Sequence, residues 1–320
     1  MDSVIGTALE PRPSVRSKQI QAETEERRMS RIQVDANACV RCGACVDVCS
    51  IAKVYELEDE SAAVVRPERC WGCGQCIAVC PTDAIDHEAF PLEECPLTES
   101  VELPSLENLT SAFRARRSCR TYRPQAVPRE IVREAVTCAR WVPTAENRQS
   151  FDWVAIDDRG RIADLSRETL AQIKRFARLA GSKIAYPILA ASLGRQAART
   201  ARNSVASIEK LAKRADVGED PIFYHAPVVL IGHGPAENAF ARDDAIYAAY
   251  SLMLAAEQLG LATCQIGLFQ IVVERSAAVR RLLPLPKGRK PQVAMSLGYR
   301  KHQYRRLIPR RTPDIVWNPR

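Results

Sequence analysis

The chain has 320 residues, enough for two ordinary domains or for one domain and a small module. Its 46% apolar and 26% charged residues are the proportions of a chain that packs a core, which argues against a disordered protein. The net charge of +8 hides a split: acidic residues exceed basic ones by 9 from Asp35 to Ser100, and basic exceed acidic by 16 from Val101 onward. An acidic module beside a basic domain predicts electrostatic docking between the two, or of an acidic redox partner onto the basic one. The basic residues are scattered along helical stretches without interleaved aromatics, which argues against a nucleic-acid partner.

In chain order, residues 1–28 are rich in Glu, Arg, Ser and Pro and read as a flexible extension without the apolar stretch of an export signal. No apolar run reaches the length of a membrane span, so the expected location is the cytoplasm. Residues 29–85 form a cysteine module that contains eight of the twelve cysteines. Residues 86–110, with Pro91, Pro96 and Pro104 among acidic residues, read as a linker that wraps rather than packs. Residues 111–320 are then regular. Pro128 opens a helix whose apolar positions are Ile131, Val132, Ala135, Val136 and Ala139. Asp152 to Ile156 reads as a strand, and Arg167 to Arg214 as a basic helical region broken near Gly181 and Pro187. Pro227 to Ile231 is a buried-strand pattern, and Asp243 to Leu259 a helix that stops at Gly260. Ala262 to Leu268 and Gln292 to Leu297 read as the last two strands. Helices and strands without a regular βαβ rhythm give an α+β fold class.

The cysteine module contains two quartets, Cys39-x2-Cys42-x2-Cys45-x3-Cys49 and Cys70-x2-Cys73-x2-Cys76-x3-Cys80-Pro81. Three thiolates two residues apart can wrap one corner-rich cube, and the fourth must come from elsewhere. Gly43, Gly72 and Gly74 let the backbone approach inorganic sulfide and donate N–H groups to it. The competing reading is structural zinc, which usually takes two cysteine pairs per site and leaves the third cysteine of each run without a task. The spacing resembles that of bacterial dicluster ferredoxins. That resemblance implies two [4Fe–4S] clusters, one held by Cys39, Cys42, Cys45 and Cys80 and the other by Cys70, Cys73, Cys76 and Cys49. Ser50 stands where the second quartet has Pro81, which removes no ligand.

In the larger part there is no Gly-x-Gly-x-x-Gly after a strand and no Gly-x4-Gly-Lys loop, so no dinucleotide or NTPase fold is expected. Arg116-Arg117-Ser118-Cys119-Arg120 places three guanidiniums and a hydroxyl in five residues, a cradle suited to phosphate or a solvated basic turn. This pentapeptide, Arg140-Trp141-Val142-Pro143-Thr144-Ala145-Glu146-Asn147-Arg148-Gln149, Ala226-Pro227-Val228, Leu254 to Leu261 and Leu297-Gly298-Tyr299 with Arg310-Arg311 follow one another in the order of the FMN-dependent nitroreductase family. With the cysteine module, the chain resembles ferredoxin–nitroreductase fusion proteins: a nitroreductase-like FMN-binding α+β domain preceded by a small dicluster ferredoxin-like domain.

The resemblance implies FMN gripped by Arg116, Arg117, Ser118 and Arg120, with Arg310 or Arg311 closing the phosphate site. It places Pro143, Thr144, Asn147 and Gln149 at the flavin across a homodimer interface, and backbone N–H groups near Ile266 and Gly267 at flavin N5 and O4. The catalytic centre is then the flavin, with no catalytic side chain identified. Ser150-Phe151 replaces the family's Pro-Trp, Gly260–Ala262 replaces its Gly-Leu-Gly, and Ser251 stands where asparagine is common. Cys138 and Cys264 read as small core residues, Cys119 as a spacer, Cys95 as a free thiol or a fifth ligand, and Tyr224 and His225 as a satisfied pair or, less favoured, as residues facing the substrate. The expected activity is electron transfer from a low-potential donor such as reduced ferredoxin, through the clusters and FMN, to a nitroarene, quinone, activated alkene or similar small organic substrate. The alternatives are reverse flow from NAD(P)H or a substrate, and a redox-sensing or electron-carrying subunit without substrate chemistry.

Overall fold

The computed structural model describes residues 31–318, and the expected N-terminal extension lies outside them. The chain divides into two compact units. The smaller comprises residues 31–103 with Pro143–Ser150 and Pro286–Gly288, and the larger comprises Pro104–Val142, Phe151–Leu285 and residues 289–318.

The smaller unit pairs β1 (Ile32–Val34) with β4 (Ile85–His87) and β2 (Tyr55–Leu57) with β3 (Ala62–Val64), both antiparallel. Each cysteine quartet leads into a five-residue helix, α1 (Ala44–Val48) or α2 (Gln75–Val79). Gly43 and Gly74 precede these helices at φ 76° and 71°, a left-handed backbone that any residue with a Cβ would strain. The core is nine buried residues: Ile32, Cys45, Ala52, Val54, Tyr55, Ala62, Cys76, Ile77 and Ile85. The stretch after β4 was expected to wrap rather than pack, but Phe90 and Cys95 lie against this core. The Phe90 ring, 4.9 Å from that of His87, covers Gly74, which explains the difference.

The larger unit opens with α3 (Leu106–Ala115), a helix absent from the sequence reading, which Ser105 starts by accepting the Asn108 N–H at 3.2 Å. Next come α4 (Arg129–Cys138), β5 (Asp152–Ile156), α5 (Arg159–Gly181), α6 (Ala185–Leu193), α7 (Arg195–Asn203) and α8 (Val205–Asp216). The chain continues through β6 (Val228–Pro235), α9 (Ala241–Gln258), β7 (Ala262–Gln265), α10 (Gly267–Arg275), α11 (Ala277–Arg281) and β8 (Arg289–Gly298). Gly181 ends a helix as expected, but Pro187 does not break one. It sits in the first turn of α6, where its missing N–H has no intrahelical partner to lose. The expected strand from Ala262 to Leu268 ends at Gln265, because α10 begins at Gly267.

One antiparallel sheet in the order β5-β6-β8-β7 forms the middle layer. Val228 and Leu230 of β6 pack with Val293, Met295 and Leu297 of β8 against α4 and α9. Val229 and Ile231 face the other way, into a core with Leu165, Ile173, Phe223 and Phe269. Both faces of the sheet are covered, which is why these strands read as continuous apolar runs. Cys138 was expected in the core but is exposed: Val132, Ala135 and Ala139 define the buried stripe and leave it outside. No helix among the described residues is long and apolar enough to cross a membrane.

Candidate functional site

In the smaller unit, all eight quartet cysteines are free thiols. They ring two cavities in crossed sets: Cys39, Cys42, Cys45 and Cys80 line one, while Cys49, Cys70, Cys73 and Cys76 line the other. A single tetrahedral ion would draw four sulfurs to about 3.8 Å from one another. Among the described residues no three metal-binding side chains converge in that way. The donor chemistry fits iron–sulfur clusters, because four thiolates facing one space are the ligand set of a cubane.

Hydrogen bonds already point at the sulfurs. The Val54 N–H donates to Cys49 Sγ at 3.4 Å, Ala84 to Cys80 at 3.2 Å and Gly72 to Cys70 at 3.3 Å. Burial pushes the Tyr55 phenol well above its ordinary pKa, so it stays protonated and donates to Cys76 Sγ at 3.2 Å. His87 is 1% exposed, and burial lowers its pKa, which keeps the imidazole neutral. Its Nδ1 accepts the Ala89 N–H at 3.2 Å, leaving the proton on Nε2, which lies 3.7 Å from Cys70 Sγ. Tyr55 and His87 were not singled out in the sequence, where nothing local marks them. Cys95 packs on the core and lines neither cavity.

In the larger unit, Arg117, Ser118 and Arg120 line a cavity of about 730 Å³ with Gln303, Tyr304, Arg305, Arg306, Ile308 and Arg310. Five guanidiniums and no carboxylate border it, a setting for a phosphate or another anion. The cradle is fixed by the backbone: Ser118 bridges to Thr263 of β7, the Cys119 N–H donates to the Thr263 carbonyl at 2.9 Å, and Tyr122 bridges to Arg300. Buried Cys119 donates its thiol to the Thr121 carbonyl at 3.2 Å. Arg116 stands apart from the lining, and its buried Nε has no hydrogen-bond partner among the described residues. Arg311 is not in the lining and lies 3.5 Å from Asp314, so Arg310 is the member of that pair at the cavity. Arg305 and Arg306 were missed, although their adjacency in an otherwise unassigned tail was visible.

Near the cradle, Arg120 lies 6.0 Å from the centre of the Tyr224 ring. Tyr224 and His225 both have left-handed backbones, and His225 Nε2 accepts the Asp220 N–H at 3.0 Å, so the histidine is satisfied as expected. Cys264 is 2% exposed in β7, and burial raises its thiol pKa against the opposing pull of Arg120, in keeping with a core residue. The Ile266 N–H was expected at a flavin, but it donates to the Ala294 carbonyl at 2.8 Å. Gly267 differs. It opens α10, where first-turn N–H groups have no intrahelical acceptor, and a Cβ there would meet nothing within 4 Å.

The remaining expected flavin residues are grouped elsewhere: Pro143, Thr144, Asn147 and Gln149 all belong to the smaller unit. Asn147 Nδ2 donates to the Gly72 carbonyl at 2.6 Å, and Thr144 Oγ1 accepts the Gln149 N–H at 3.0 Å. The structure therefore brings Arg117, Ser118, Arg120 and Arg310 together and assigns the 143–150 segment to the cysteine module.

The Nitroreductase family profile matches residues 113–299, more than half of the chain, and that of the 4Fe-4S dicluster domain matches residues 38–84. A search among curated proteins found no match. Among solved structures, a nitroreductase with bound FMN from Bacteroides fragilis is 18% identical, with 65% of this chain and 98% of that one covered and a TM-score of 0.47. Another with bound FMN from Desulfitobacterium hafniense is 20% identical, over 65% and 96%, with a TM-score of 0.48. A BluB-like flavoprotein from Clostridium difficile is 18% identical, over 64% and 94%, with a TM-score of 0.46. The chain belongs to the Nitroreductase family, as an oxidoreductase whose family segment follows a 4Fe-4S dicluster domain.

Proposed function

We propose that the chain is an iron–sulfur flavoprotein that carries electrons from a low-potential donor such as reduced ferredoxin, through two [4Fe–4S] clusters, to FMN and a small organic acceptor. The observation that carries this reading is the division of eight free cysteines between two cavities, in a chain that also holds a five-guanidinium anion cavity. When bound, the clusters supply one-electron transfer and FMN couples it to two-electron chemistry.

The chain's own residues divide the work. The crossed cysteine sets hold the clusters, and the Tyr55 hydroxyl and His87 Nε2 direct hydrogen bonds at the second quartet's sulfurs, raising the potential of the cluster held there. Arg117, Arg120 and Arg310, with Arg305 and Arg306, hold the flavin phosphate, and Ser118 adds a hydroxyl beside it. The Gly267 N–H at the positive end of α10 would stabilise the negative charge that a bound flavin gathers on reduction. Exposed Ile246, Tyr247 and Tyr250 on α9, and Ile315, Val316 and Trp317 in the C-terminal segment, support burial against a second copy in a homodimer. A cytoplasmic location suits eight cysteines kept as thiolates for metal.

Anaerobic purification followed by iron, sulfide and flavin assays tests this reading. About eight iron atoms and one FMN per chain are expected, with nitroarene or quinone turnover on a low-potential donor. Zinc in place of iron, with no flavin, would end it.

A further inference from the structure

The two cysteine cavities are alike in ligand number but not in their walls. Every residue lining the Cys39, Cys42, Cys45 and Cys80 cavity lies between Val34 and Ile85. The Cys49, Cys70, Cys73 and Cys76 cavity is closed in addition by Pro143, Thr144, Glu146 and Asn147, more than sixty residues beyond the last quartet cysteine. These four residues fall inside the segment matched by the Nitroreductase family, and the chain runs on from them into β5. Asn147 fastens this wall: its amide donates at 2.6 Å to the carbonyl of Gly72, whose own N–H donates to Cys70 Sγ. Glu146, Asn147 and Gln149 all have φ near +50°, a backbone that a non-glycine residue keeps only when its surroundings hold it there. Asparagine tolerates that conformation and supplies the donor as well.

We propose that the second quartet's cluster is the one that exchanges electrons with the flavin, and that Asn147 is a positioning residue that latches the 143–150 segment onto it. This deepens the function proposed above and rests on it. With the groups bound, the cluster on Cys49, Cys70, Cys73 and Cys76 would pass one electron at a time to the flavin, and the low-potential donor would restore it by way of the other cluster. The latch does two things for this transfer. It gives the cluster a short through-bond route into the large unit's chain, from Gly72 across one hydrogen bond to Asn147 and then along the backbone to Phe151. It also excludes water from one side of the cluster and polarises the Cys70–Cys73 loop, both of which set its potential.

The test is EPR-monitored redox titration of the full-length, cluster-loaded protein carrying Asn147→Gly, which keeps the left-handed backbone and deletes the amide. Tyr55→Phe, which removes the hydrogen bond to Cys76, identifies the second quartet's cluster by moving its midpoint potential. Asn147→Gly should shift the same cluster and leave the other in place. It should also slow flavin reduction by the clusters about tenfold, with iron and flavin content unchanged. A shift confined to the other cluster, no shift in either, or loss of flavin with unshifted clusters would overturn the proposal; the last would make Asn147 a flavin ligand. A chain that binds no flavin would instead refute the proposed function, and the titration would still report on the latch. Hydrogen exchange gives a second reading, in which segments 70–74 and 143–150 should lose protection together in Asn147→Gly. Exchange of 143–150 in the wild type at the rate of a free loop would contradict the latch.

Discussion

The two units are stabilised by opposite means. The larger one covers both faces of a four-stranded sheet with apolar side chains, and Leu230, Ile231, Phe223, Phe269, Leu252 and Met295 are fully buried without reference to any bound group. The smaller one has an apolar core of nine buried residues, two of them cysteines, and strands of three residues each. Its sequence is spent on ligands, glycines and sulfur-directed hydrogen bonds, so its cofactors must also serve as its core. A chain that joins the two should therefore lose its parts separately.

Removal of iron tests that contrast with the largest effect. Stripping the clusters should unfold the smaller unit while β6 and β8 keep their hydrogen-exchange protection; equal loss in both units would break the comparison. Next, Phe269→Ala, which empties a fully buried site in contact with Phe223, should destabilise the larger unit by about 3–5 kcal/mol. Its denaturation midpoint should fall without a change in the clusters' visible spectrum.

A third test uses pH. Burial, with Arg289 beside it, holds His233 at a pKa of about 4 against an ordinary 6.5, and its Nδ1 accepts from Arg289 Nε at 2.8 Å. The folded pKa is the lower one, so the unfolded chain takes up a proton that the folded chain refuses. Stability is full above about pH 6.5 and falls as pH drops toward 4, by about 3 kcal/mol in all. Chemical unfolding between pH 7 and 4.5 should show this slope in the wild type and a flatter one in His233→Gln. The smallest effect is expected at the start of α3, where Ser105→Ala removes the cap on Asn108 at a cost of about 1 kcal/mol, seen as a small drop in Tm.

What the sequence disclosed follows the range of each interaction. The cysteine quartets were legible because their ligand spacing is local, and Arg117, Ser118 and Arg120 because they lie within one turn of chain. The β6 and β8 strands announced themselves as apolar runs buried on both faces. Tyr55 and His87 did not, since only the fold carries a phenol and an imidazole to sulfurs 21 and 17 residues away. Cys138 was misplaced because an apolar residue near a helical stripe is not always on it. Ile266 was misread because a backbone N–H is free or engaged according to its sheet partner, here Ala294. Asn147 was expected at a flavin on the strength of a motif, while its amide lies on Gly72, a contact across 75 residues that no local pattern encodes.

In the proposed function, electrons enter through the cysteine module and leave through the larger unit. Anaerobic rapid mixing with a reduced low-potential ferredoxin tests it most directly. The account predicts that the clusters' visible absorbance bleaches first and the flavin's follows in the same molecules, with NAD(P)H alone leaving the flavin oxidised. Rapid flavin bleaching by NAD(P)H alone, with the clusters reduced afterwards, would contradict it.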